Sequence, residues 1–229
     1  MGDLLRPIHR PDRHLPEEHS HPDGAAAVRP LLQIARHERG QAVVEFALVL
    51  PVLLLLVFGV VEVTQAYSES LTIGAATREG ARVAGALVNG GGTLGCGGGQ
   101  SPNAASVDPQ VVAAVERVLT ASGTSITLSD IAEIRIYKAT STGAEVSGAV
   151  DQWTYQWNGG PTVDGDRLDF VQQSSGWPAC GRSNVTPADS AGVSIRYTYR
   201  GTTPLRYLVQ TFIALAISDR TVMSLNAIR

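Results

Sequence analysis

Few side chains in this sequence have the type and spacing for bond-making chemistry. Histidine is the commonest general base, and all five histidines, His9, His14, His19, His21 and His37, precede residue 38. The pair His19 and His21 in "HSH" invites a metal. No cysteine or fixed scaffold accompanies it, and "HRPDRHLPEEHSHPDG" has the composition of a solvated tail that cannot bury enough surface to offset chain entropy. Cys96 and Cys180 are too few soft ligands for zinc and have no downstream histidine to activate a thiol. Asp164, Asp166 and Asp169 in "DGDRLD" offer oxygens to calcium but depart from the twelve-residue loop pattern, so a polar turn is expected. Gly90, Gly92 and Gly95 satisfy G-x-G-x-x-G behind a helix, where a nucleotide fold needs a strand. Neither enzymatic activity nor a metal or other cofactor is expected. The formal net charge of -3 argues against a nucleic-acid partner, which needs basic surface to displace phosphate counterions.

Glu45 is the residue that demands a chemical reason. It is the sole charge in the run Ala42 to Val61, which as a helix rises about 1.5 Å per residue and so spans roughly 30 Å, the hydrocarbon thickness of a bilayer. An ionised carboxylate there costs several kcal/mol, so it marks function and needs a partner. Gly40 and Gln41 stand just before it. A cut between them makes Gln41 the amino terminus and Glu45 the fifth residue, one helical turn away. The new α-amino group could then neutralise the acid on the same or a neighbouring subunit.

Arg29, Arg36 and Arg39 precede the run, and no Lys or Arg follows it until Arg78. The positive-inside bias places the amino end in the cytoplasm and the remainder across the membrane. In an oxidising compartment Cys96 and Cys180 are expected to form a disulfide, two separate thiols being the alternative. Closing that loop of roughly 85 residues would stabilise the fold by about 4 kcal/mol in the chain-entropy model. A cleavable secretory signal competes with the anchor reading. The apolar run is longer than a usual signal core, however, and Thr64-Gln65-Ala66 is a poor A-x-A match.

The elements that position these residues read as an α+β protein. A long N-terminal transmembrane helix continues into a stalk and carries a small C-terminal α+β domain with an antiparallel sheet. The expected divisions are a disordered cytoplasmic leader over 1–40, the transmembrane helix over 41–62, a helical stalk over 63–89, a Gly-rich loop over 90–106 and an extracytoplasmic domain over 107–229. Small residues recur at four-residue spacing along the stalk, Ala76, Gly80 and Ala84 beside Thr77, Ala81 and Gly85. They admit a second helix or the chain's own domain at close range. Asp108 as N-cap and Pro109 at the first helical position open a helix whose Val111, Val112, Val115, Val118 and Leu119 share one face. Alternation predicts strands over 131–139, 152–157, 193–200 and 216–226, with Val193, Ile195, Tyr197 and Tyr199 on one side of the third. Trp153, Tyr155 and Trp157 share a face expected to be core. "LRYLVQTFIAL", after Pro204, reads as a short helix. Asn184-Val185-Thr186 is a glycosylation triplet of the kind that arises by chance.

"RGQAVVEFALVLP" resembles the class III signal of type IV prepilins, and Phe46 after Glu45 resembles the Glu-aromatic pair of the Flp/Tad branch. The N-terminal half through "AATREGARVAGA", with the "VSIRYTYRGTTP" to "VMSLN" tail, is similar to TadE-like pilus assembly proteins. The resemblance implies a minor pseudopilin cut after Gly40 by a prepilin peptidase, with Glu45 and Phe46 as recognition and assembly residues; an uncleaved single-pass membrane-anchored extracytoplasmic binding module is the alternative. It also implies other Tad pilins and pseudopilins, the inner-membrane assembly platform and membrane lipid as partners. Major Flp pilins are far shorter, so the distal domain argues against the bulk filament subunit. The related TadG proteins often carry a D-x-S-x-S metal site, which this sequence lacks.

Overall fold

The computed structural model describes residues 38–87, 104–184, 186–204, 207 and 215–225. Two compact units, 1–48 and 49–229, divide the chain. Helix α1 runs from Glu38 to Ala86. Pro51 is its one interior proline, and Gly59, Gly74, Gly80 and Gly85 stand singly rather than in turn clusters. Among the described residues it is the helix long and apolar enough to cross a membrane.

The second unit adds α2 (Ala104–Leu119) and a five-stranded antiparallel sheet in the order β5-β2-β1-β6-β7. These strands are β1 (Ile131–Ala139), β2 (Glu145–Tyr155), β5 (Phe170–Ser175), β6 (Ser190–Tyr199) and β7 (Leu215–Ser224). A small hairpin, β3 (Thr162–Val163) with β4 (Asp166–Arg167), precedes β5. β6 and β7 pair from Ser190↔Ser224 to Tyr199↔Leu215 without a register shift.

One face of the sheet is covered and the other is wet, the usual state of an antiparallel sheet. Ile134, Ile136, Trp153, Val193 and Ile195 are buried beneath the helices with Ile73 of α1 and Val111, Val115 and Leu119 of α2. The opposite face carries charge pairs, Arg135 with Glu145 at 3.0 Å and Arg196 with Glu133 at 2.8 Å. Tyr137 is buried on that face by lying flat over β6 at Gly192, where a Cβ would fall 2.2 Å from the ring. No larger residue fits there.

Several boundaries differ from the sequence expectation. α2 begins at Ala104, so Pro109 lies inside it and Asp108 is not its N-cap. Pro109 is the sixth residue of α2, so it removes one i→i−4 donor near the amino end, and the Asp108 carboxylate is drawn to an arginine instead. β2 starts at Glu145 and ends at Tyr155, which leaves Trp157 beyond the strand and exposed rather than in the core. Gly148, at φ +78°, and small neighbours obscure the alternation in the early part of β2. The segment 205–214, where the short helix was expected, lies outside the described residues except for Tyr207.

Candidate functional site

Gly40 and Gln41 lie within the first turns of α1, exposed, and nothing approaches within 4 Å of where a Cβ on Gly40 would stand. The Gln41 amide donates to the Glu45 carboxylate at 2.9 Å. Residue 41 therefore sits within reach of that acid by helical geometry alone, at i and i+4. Phe46 is exposed, as are Val49, Val52, Leu53 and Val60. A helix apolar all round is stable only where something other than water surrounds it.

From Glu62 onward one face of the same helix is clad by its own domain. The stretch expected to be a stalk does not stand free over its described part, 63–87. Ile73, Ala76, Ala81 and Ala84 are fully buried in the core. A Cβ on Gly80 would fall 2.6 Å from Val115 and 3.2 Å from Val193. The small residues Ala76, Gly80 and Ala84 thus seat α2 and the sheet of this chain against α1.

Polar residues on the same side reach partners distant in sequence, although Glu69 Oε2 is buried without a hydrogen bond. The Glu62 carboxylate accepts from the Tyr199 hydroxyl, the Thr203 backbone N–H and the Thr203 hydroxyl, and Gln65 accepts from the Thr202 hydroxyl. Glu69 is buried and accepts from Ser125 at 3.0 Å. Burial and the Glu69 carboxylate push the Tyr197 phenol well above its ordinary range, and burial with Glu62 does the same to Tyr199. Thr77 donates to Asp219 on β7 at 2.6 Å, so the 3.1 Å contact with Thr221 is donated by Thr221. The sequence reading missed this set, although Glu62, Gln65, Glu69, Ile73, Ala76 and Gly80 follow the three-and-four spacing of one helix face.

A second buried group ties α2 to the sheet. Arg182 Nη2 donates to Asp151 at 3.0 Å and to the Trp177 carbonyl at 3.0 Å. Both of its protons are thereby used, and Asp108 Oδ1, 2.7 Å away, gains charge attraction without a hydrogen bond. The guanidinium also stacks over Trp177 at 4.5 Å. Burial raises the Asp108 carboxyl, Arg182 opposes the rise and Asp151 adds to it, leaving Asp108 at about 6.

Cys180 lies in the turn Ala179–Gly181 just before Arg182; Cys96 lies outside the described residues, as do all the histidines. Asp164 occupies the turn of the β3–β4 hairpin at φ +53°, and Asp169 accepts the Asn158 N–H at 2.7 Å. Among the described residues no group of His, Cys, Asp and Glu could hold a metal ion. Asn184 is buried, which removes it as a sugar acceptor in the folded protein.

Residues 40–82 match the model of the TadE-like protein family. The match begins at the glycine before Gln41 and ends at Arg82, so it takes in the bare part of α1 and most of the clad part. No curated protein and no solved structure matches the chain.

Proposed function

We propose that this protein is a minor pseudopilin of a Tad/Flp type IV pilus system. It is processed after Gly40 and assembles through its N-terminal helix to initiate or support pilus biogenesis. The observation that carries the reading is the coincidence of a TadE-like segment starting at Gly40 with a helix that is bare and apolar until Glu62. The TadE-like segment supports involvement in a Tad pilus system, and the long apolar helix suggests a single-pass membrane anchor. On this reading a prepilin peptidase cuts between Gly40 and Gln41 on the cytoplasmic side, where Arg29, Arg36 and Arg39 hold the leader. The freed α-amino group replaces the Gln41 amide as the partner of Glu45, and Glu45 with Phe46 guides the helix to other Tad pilins and to the inner-membrane assembly platform.

The domain acts as a structural part rather than as an enzyme, on the cell's outer side of that membrane. There Cys96 and Cys180 form a disulfide; the absence of a free thiol among the described residues supports it. Mass spectrometry of the amino terminus in membrane extracts, from cells with and without the peptidase, tests the proposal. A terminus at Gln41 that vanishes without the peptidase is expected. An uncut chain, or a terminus near Tyr67, would refute the processing step.

A further inference from the structure

The contacts of α1 follow one direction along the sheet. Glu62 meets the end of β6 at Tyr199, Thr77 meets the middle of β7 at Asp219, and a Cβ on Gly85 would fall 3.2 Å from the Ser224 carbonyl at the end of β7. The sheet therefore has a near end, where the apolar run stops, and a far end. Strand register assigns the near end to Tyr155, Phe170, Ile131, Tyr199 and Leu215.

Exposed aromatic residues collect at that near end. Trp157, two residues beyond β2, is 71% exposed, and Tyr207, just past the Thr203 that binds Glu62, is 70% exposed. Leu215 opens β7 there and is also exposed, while Tyr67 lies on α1 five residues past Glu62, about 7.5 Å along the axis. The far end presents Met223 alone among the described large apolar side chains, at 39%. Arg200 pairs with Asp130 at 2.8 Å at this end, and the β3–β4 hairpin leading into β5 adds Asp164, Asp166 and Asp169 against Arg167.

We propose that this near rim, through Trp157, Tyr207 and Leu215, rests in the interfacial layer of the bilayer that α1 crosses. The inference rests on the membrane-anchor reading above. The run Ala42 to Val61 fills about 30 Å of hydrocarbon, and the headgroup layer beyond it is roughly 5–8 Å deep. Glu62 holds the Gly201–Thr203 turn at that depth, so the neighbouring rim falls where Trp and Tyr gain most, with apolar rings among acyl carbonyls and polar tips in water. The aromatic and apolar character of the rim makes the contact one with any phospholipid interface rather than with anionic lipid in particular.

Photocrosslinking of the full chain in its native membrane tests this. A p-benzoylphenylalanine is placed singly at Trp157, Tyr207, Ser141 in the far-end turn, and Leu54 in the apolar run, and adducts are identified by mass. Phospholipid adducts from positions 157, 207 and 54, and none from 141, are expected. Lipid adducts at 54 with none at 157 and 207, or with protein adducts there instead, would overturn the rim contact and leave the anchor standing. No lipid adduct at 54 would bring down the anchor and the rim together.

Discussion

Two stretches of one helix behave as different materials. From Val49 to Val61 α1 exposes Val and Leu on every side; from Glu62 to Leu87 one of its faces sets buried small residues among Glu62, Glu69 and Thr77, which reach partners in the domain. The first stretch depends on its surroundings for stability and the second on shape. An isolated helix gains little from propensity in water, so each half relies on a different environment, and Glu62 marks the change.

The contrast can be broken most severely at the buried charges. Arg182→Met leaves Asp108 and Asp151 without their cation and should cost about 3–5 kcal/mol of domain stability, read from denaturant unfolding of the full chain in detergent. Gly80→Leu drives a side chain into Val115 and Val193 and should cost about 1–3 kcal/mol, with the unfolding midpoint as readout. Thr77→Val removes the donor to Asp219 and should cost about 1 kcal/mol. On the bare side, Leu54→Ala should leave the domain's unfolding free energy within about 0.5 kcal/mol of the parent. A larger loss there would erase the distinction between the two halves.

The pH dependence sharpens the picture further. Asp108 rises from 3.8 to about 6 in the folded protein, so folding favours its protonated form. Its contribution to stability is fully present below 3.8 and is lost as pH rises through about 6. Asp108→Asn should therefore gain on the parent as pH climbs across that window, and parallel melting curves for the two proteins across it would refute the assignment.

Regular alternation made β1 and β6 legible, and apolar spacing did the same for the buried face of α2. β7 alternates poorly because two of its covered positions are Asp219 and Thr221, which are polar but matched by Thr77, a partner 142 and 144 residues away. The run "FVQQSS" of β5 is mostly polar because it is an exposed edge strand, and it was not expected as a strand at all. At the site, the order of Gly40, Gln41, Glu45 and Phe46 is a local pattern and could be read directly. The clasp on Glu62 could not, because its partners lie near residue 200 and only folding brings them to α1. The small-residue stripe was legible as a packing face, but its occupant was not, since a neighbouring subunit and the chain's own domain need the same small side chains.

The parallel course of α1 and β7 also has a mechanical meaning. From Glu62 to Gly85 the helix is about 35 Å long, and the ten residues of β7 extend about 33 Å beside it. A pull along the helix axis is therefore borne as shear, with the Glu62 clasp, the Thr77 bridge and the small-residue seat loaded together instead of peeled one after another. A tug on the membrane end reaches the domain as one distributed force.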